Sequence, residues 1–299
     1  MTLMPAPFVA ENKLATLSSF ILTLSCEDRP GIVAAVTTEL AAIGGNITES
    51  AQYRDVASNR FFMRITFSVP VGIAKGDVER VLNPVIDRFS MEASVNDRAQ
   101  RAKLIVMVSK FDHALLHLLY QIRVGWLNAD VVAIVSNHED SAGTASISDV
   151  PYFCWRVTRD NKAEQEQRLL DLVEETKADL VVLARYMQVL SDTLSTRLSG
   201  KVINIHHSFL PSFKGAKPYH QAYDRGVKLI GATAHYVTPE LDEGPIIEQE
   251  TERVTHSMSA EDFVAAGRDI ESRVLARAVK LHVENRVMLN GHKTVIFQQ

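Results

Sequence analysis

The sequence predicts an α/β protein in two parts. Periodic segments between residues 16 and 97 follow the order βαββαβ, a charged stretch interrupts them, and from residue 104 short apolar runs alternate with helical ones. A length of 299 residues exceeds the usual single domain, which leads to the same division into parts of roughly 100 and 200 residues.

In the first part, Thr16 to Ser25 has strand character, and Asp28-Arg29-Pro30-Gly31 supplies turn and helix-start chemistry before a helix over Ile32 to Ile43. Gly44-Gly45-Asn46 stops that helix. Ile47 to Asp55 and Arg60 to Val69 are predicted strands, Gly76 to Phe89 a helix and Met91 to Val95 a strand. Two helices on one face of an antiparallel sheet bury one core and leave the other face and the edges open to pairing. The order, the length and the run DRPGIVAAVTTELAAIGGNI resemble the ACT family of small ligand-binding regulatory domains, with a ferredoxin-like fold. That resemblance implies an amino-acid effector such as glycine or methionine, contacted by Asp28, Gly31 and Asn46, and a homo-oligomer formed through such domains. Taken singly, Gly31 and Gly44-Gly45 are equally explained as turn residues and Asp28 as a helix cap.

The charged stretch Asn96 to Lys103 marks the boundary, so the predicted domains are 16–97 and 104–299 with a linker at 98–103. Strands are predicted at Leu104 to Val108, Asp130 to Ser136, Leu180 to Ala184 and Val202 to His206, alternating with helical runs as in a mostly parallel sheet. Leu229 to Thr238 and Ile246 to Arg253 add strand candidates, followed by a helix from about Ala260 to Leu289.

Bulk properties narrow the function. Hydrophobic residues make up 46% and charged residues 23%, which is globular composition, and a net charge of -4 gives no broad footprint for nucleic acid or an anionic membrane. Cys26 and Cys154 are far apart, which supports neither a disulfide scaffold nor a thiolate metal site. The start lacks a basic region followed by a long apolar core, and no run approaches the ~20 apolar residues that span a bilayer. The expectation is a cytoplasmic chain acting on a small molecule.

The most informative stretch is Asn204-Ile205-His206-His207-Ser208-Phe209-Leu210-Pro211-Ser212-Phe213, where a buried strand leaves the sheet. Strand residues two apart share a face, so Asn204 and His206 project together and His207 is expected on the opposite side. An amide can donate to an oxygen gaining charge, and an imidazole can move a proton near neutral pH. Val237-Thr238-Pro239-Glu240-Leu241-Asp242-Glu243-Gly244-Pro245 is a carboxylate-rich loop between strands, and Asp242, if it reaches His206, can orient the imidazole and hold water. Taken singly, Asp242 is a turn carboxylate and Asn204 a strand terminator; their joint occurrence with His206 favours a site. A metal reading would use His206, His207, His220 and Asp242, but adjacent strand histidines face oppositely.

NIHHSFLPSF together with LDEGPII is similar to the signature of the folate-dependent formyltransferase family, and the resemblance covers residues 104 to about 289. It implies a Rossmann-like, formyltransferase-type domain in which Asn204, His206 and Asp242 are the catalytic trio and no metal is used. It also implies a pterin pocket lined by Arg185, Tyr186, Met187, Val237, Thr238 and Leu241. His207, Ser208 and His220 are expected to support the pocket. Members that formylate a phosphorylated amine carry a glycine-rich loop after their first strand, where this chain has Val108-Ser109-Lys110-Phe111-Asp112-His113; Asp112 and the missing glycines disfavour a phosphate. The family's His-Pro-Ser is here His206-His207-Ser208, and with the ACT-like part in front this resembles the deformylase branch. Such enzymes hydrolyse 10-formyltetrahydrofolate to formate and tetrahydrofolate and belong to one-carbon metabolism and purine biosynthesis. Two alternatives stay open: formyl transfer to a non-phosphorylated amine or sugar-nucleotide acceptor, and a non-catalytic amino-acid sensor with a vestigial folate pocket.

Overall fold

The computed structural model describes residues 17–210 and 218–298, in two compact units, 1–100 and 101–299. Thr16 and the leader before it, and residues 211–217 of the motif region, lie outside the described residues.

The first unit runs β1 (Leu17–Glu27), α1 (Ile32–Ala42), β2 (Asn46–Asp55), β3 (Arg60–Pro70), α2 (Lys75–Phe89) and β4 (Glu92–Asp97). Its sheet order is β2-β3-β1-β4, with every neighbouring pair antiparallel. Ile32, Val36 and Leu40 repeat along one face of α1, as Val78, Leu82, Val85 and Phe89 do on α2, and both stripes bury against Leu22, Leu24, Met63 and Ile65. Gly45 is obligatory at the α1–β2 turn, because an added Cβ would meet the Leu40 carbonyl oxygen at 2.6 Å. One expectation needs correction: β3 is buried on both faces, with Phe62, Arg64 and Thr66 all buried, so the sheet's second face is not open at that strand.

The second unit runs β5 (Ala102–Val108), α3 (His113–Arg123), β6 (Ala129–Ser136), α4 (Ala142–Ile147), β7 (Tyr152–Cys154), α5 (Lys162–Thr176), β8 (Leu180–Ala184), α6 (Asp192–Arg197) and β9 (Val202–His206). It continues with α7 (Pro218–Asp224), β10 (Leu229–Tyr236), β11 (Ile246–Arg253), α8 (Ala260–Val283), β12 (Val287–Asn290) and β13 (Lys293–Ile296). Ala102 and Lys103, expected in the linker, already pair in β5. The seven-stranded sheet has the order β11-β10-β9-β8-β5-β6-β7, parallel from β9 to β7 and antiparallel at β10 and β11. The apolar runs are continuous because both faces are covered. Leu104, Val106 and Val108 face the core shared with α3 and α8, while Ile105 and Met107 face the one shared with α5 and α6.

The long C-terminal helix stops at Val283, short of the expected Leu289, and a β12–β13 hairpin follows. The connection is Gly291-His292 with Gly291 at φ 61°, which is the glycine placement of a two-residue hairpin and overrides the apolar periodicity that suggested more helix.

Candidate active site

The site forms where the parallel sheet ends. β9 is the last parallel strand and β10 pairs with it antiparallel, setting Asn204 opposite His235 and His206 opposite Thr233. Directly opposed residues share a face, so four polar side chains project together at this edge of the parallel set. Thr233 is spent on structure: its Oγ1 accepts from Leu210 N–H at 3.0 Å and donates to the Ser208 carbonyl at 3.0 Å, fixing the chain as it leaves β9.

The β10–β11 loop brings Asp242 to this face. Tyr236 N–H donates to the Pro245 carbonyl at 2.9 Å and closes the loop base, and only glycine fits at 244, where a Cβ would lie 1.8 Å from the Tyr236 oxygen. Asp242 takes a left-handed conformation, φ 57°, one that Asp tolerates better than most residues. Its Oδ1 then lies 3.2 Å from His206 Nδ1 and 3.7 Å from His235 Nε2. Hydrogen bonding from His206 above all holds the Asp242 carboxyl well below the usual carboxylate range, against the opposing effect of burial. Asp242 is therefore ionised at neutral pH and orients His206 through Nδ1, which leaves Nε2 as the free face of the ring. That buried nitrogen has no hydrogen-bond partner among the described residues.

His235 is a site residue that the sequence analysis did not single out. Its Nδ1 is 2.9 Å from the Tyr236 carbonyl, to which an Nδ1–H donates, and Nε2 then accepts from Asn204 Nδ2 at 3.3 Å. The second amide hydrogen of Asn204 remains for an acceptor in the cavity. The alternation of Thr233 and His235 along an apolar strand was the available signal; its meaning depends on the β9–β10 register.

A cavity of about 320 Å³ opens in front of this group. One wall is the segment Arg185 to Leu190 after β8, the other Val237 to Asp242, and the floor carries Asn204, His206 and His235. All the residues expected to line a pterin pocket are on it: Arg185, Tyr186, Met187, Val237, Thr238 and Leu241. Met187 and Leu241 expose apolar surface at this cavity, and burial pushes the Tyr186 hydroxyl up to about 12.

Three expectations are corrected. His207 does not point away: β9 ends at His206, so alternation no longer applies, and the two rings meet edge-on with centroids 5.0 Å apart. Burial, then the charges of Arg185 and His206, push the His207 imidazole down to about 4, so it is neutral at pH 7. His220 is exposed on α7 and lines neither this cavity nor its neighbour, which removes the reason to place it in support of the pocket. Asp28 is not a helix cap: Gly31, at φ 94°, occupies the N-cap of α1, and Asp28 pairs with Arg54 Nε at 2.7 Å. Ser208 is buried at the exit of β9, and Asn46 opens β2. After β5, Asp112 Oδ2 accepts from Thr144 Oγ1 at 2.9 Å, and Ser109 Oγ accepts from Met187 N–H at 3.1 Å. The segment Ser109 to His113, where the sequence lacks the glycines of a phosphate loop, is thus engaged in internal hydrogen bonds.

Among the described residues, no group of three His, Cys, Asp or Glu side chains is placed to hold a metal ion, and no helix is long and apolar enough to cross a membrane.

Comparison with known proteins gives the same division. Residues 102–279 match the Formyl transferase family and residues 20–81 the ACT domain. A formyltetrahydrofolate deformylase of Corynebacterium sp. (strain P-1) is 47% identical over 282 residues, 93% of this chain and 98% of that protein. The Bacillus subtilis (strain 168) formyltetrahydrofolate deformylase is 44% identical over 92% of this chain and 93% of its own length. A crystal structure of formyltetrahydrofolate deformylase from Burkholderia mallei ATCC 23344 superposes with a TM-score of 0.90 at 50% identity, covering 94% of this chain and all of that one. The chain belongs to the formyltetrahydrofolate deformylase family, an ACT domain joined to a formyl transferase domain.

Proposed function

We propose that this chain hydrolyses 10-formyltetrahydrofolate to formate and tetrahydrofolate, with Asn204, His206 and Asp242 as catalytic residues. The observation that carries the reading is the His206 imidazole: Nδ1 engaged by an ionised Asp242, Nε2 unengaged, and an amide hydrogen of Asn204 available on the same cavity floor.

The pteridine and its linker lie between the Arg185–Leu190 and Val237–Asp242 walls. Asn204 Nδ2–H donates to the formyl oxygen and stabilises the charge that develops as water attacks the formyl carbon. His206 Nε2 takes a proton from that water, with Asp242 holding the ring and its cationic form, and returns it to N10 of the folate as the carbon–nitrogen bond breaks. The products are the free folate amine and formic acid, which ionises in water. The first unit is the seat of regulation by an amino-acid effector such as glycine or methionine, with Asp28, Gly31 and Asn46 as its contacts and a homo-oligomer as the working form. A cytoplasmic enzyme supplying formate for purine biosynthesis fits these parts.

The test is purified protein with 10-formyltetrahydrofolate and no acceptor, following formate and tetrahydrofolate together. Equal formation of both establishes hydrolysis, and turnover that waits for an added amine refutes it. Asn204→Ala should lower kcat by ~10² to 10³ through loss of the oxyanion donor, with substrate binding much less changed.

A further inference from the structure

A second buried polar cluster lies close to His207 and takes no part in the proton transfers above. Its centre is Glu271 on α8, 1% exposed, whose carboxylate meets two hydrogen-bonding groups and one guanidinium from other parts of the chain. His113 Nε2, at the start of α3, is 2.9 Å from Oε2, and the Tyr219 hydroxyl, on α7, donates to Oε1 at 2.8 Å; Arg185 Nε, just after β8, lies 3.3 Å from Oε2 as an ion pair, without hydrogen-bond geometry. Burial alone would raise the Glu271 pKa, yet the His113 hydrogen bond and the Arg185 charge hold it below the ordinary glutamate range, so it is an anion.

The surroundings are shaped to this arrangement. Gly267 lies one turn before Glu271 on α8, and an added Cβ there would sit 2.2 Å from Tyr219 Cζ. Its absence lets the phenol lie against the helix with the hydroxyl at Glu271. Arg185 has φ 66°, a left-handed conformation that is unfavourable for a non-glycine residue without a short polar side chain and persists only where the surroundings enforce it. The residues that follow, Tyr186 to Leu190, form the cavity wall. That wall is tied at two further points, Met187 N–H to Ser109 Oγ at 3.1 Å and Ser191 N–H to Glu166 Oε1 at 2.8 Å. Glu271 supplies the tie at its beginning.

We propose that Glu271 is a positioning residue: by holding Arg185 in its left-handed turn it sets the Tyr186–Leu190 wall against the bound folate. The proposal rests on the folate reading above. A buried ion pair gives little net stability compared with an apolar replacement, so its expected value lies in geometry.

The experiment is steady-state hydrolysis of 10-formyltetrahydrofolate and binding of tetrahydrofolate by wild type, Glu271→Gln, Glu271→Asp, Arg185→Met and the Glu271→Gln/Arg185→Met double variant. For Glu271→Gln, KM and the tetrahydrofolate Kd should both rise on the order of tenfold, a loss of about 1.4 kcal/mol, with a smaller fall in kcat. Glu271→Asp, which keeps the charge, should recover part of the loss. Because Glu271 acts through Arg185, the double variant should bind no more weakly than the worse single one. A Glu271→Gln protein with lower Tm but unchanged KM and Kd overturns the proposal, as do additive losses in the double variant. If Glu271→Gln does not fold, Glu271→Asp decides: wild-type KM and Kd with a changed Tm overturn the proposal, and a raised Kd supports it. Wild type that fails to hydrolyse the substrate overturns the folate reading itself, an outcome separate from an active wild type whose variants bind normally.

Discussion

Replacing His207 should make the second unit more tolerant of acid, and the size of the effect follows from its surroundings. Burial, Arg185 and His206 push the His207 imidazole down to about 4, whereas an unfolded histidine titrates near 6.5. Between those values the unfolded chain binds a proton that the folded chain refuses, so stability falls as the pH is lowered through this window. From pH 7 to pH 5 the loss from this one group is about 2 kcal/mol, each pH unit inside the window contributing up to ~1.4 kcal/mol. His207→Asn removes the group. For a unit of ~200 residues, 1 kcal/mol corresponds to roughly 2–4 °C in Tm, so wild type should lose about 4–8 °C more than the variant between pH 7 and pH 5. His282, pushed down to about 4 by burial, loads both proteins equally and cancels in the difference. Calorimetric scans of both proteins at pH 5, 6 and 7 are the assay. Loss of the edge-on contact with His206 gives an offset independent of pH; parallel curves for the two proteins would refute the reasoning.

Two further outcomes are expected. Asp242→Asn keeps a residue type that tolerates φ 57° but loses the depressed carboxylate, so kcat should fall by ~10² or more in single-turnover formate release while circular dichroism stays unchanged. Gly244→Ala places a Cβ 1.8 Å from a backbone oxygen that cannot move without opening the loop base, so the variant should lose on the order of 1–3 kcal/mol in urea unfolding and most of its hydrolysis, because Asp242 leaves His206.

The strands of the sheet were legible because strongly apolar runs such as Leu180 to Ala184 and Val202 to His206 are covered on both faces, and nothing competes with that signal. β7 was missed because three half-buried residues, Tyr152 to Cys154, are too few for periodicity. Asn204, His206 and Asp242 were legible as residue types in a motif, and the structure brings His206 and Asp242 together. His235 and Glu271 were not legible. The role of His235 depends on lying opposite Asn204, and Glu271 gathers hydrogen-bond and ion-pair partners separated from it in sequence by 52 to 158 residues. Such meetings exist only once the fold is known.

Two non-glycine residues with positive φ, Arg185 and Asp242, stand on opposite walls of the cavity. They are held differently, and chemistry explains why. An aspartate takes the left-handed conformation at small cost, so the loop can deliver Asp242 to His206 with backbone closure at Tyr236 and Pro245 as its main support. Arginine has no such tolerance, so its turn needs an outside hold, and the hold found is a carboxylate buried beneath it. The charge that acts on His206 is thus placed by a loop close to solvent, while the wall expected to face the substrate is anchored to a helix in the core. Loss of the first anchor should therefore appear mainly in turnover and loss of the second mainly in binding.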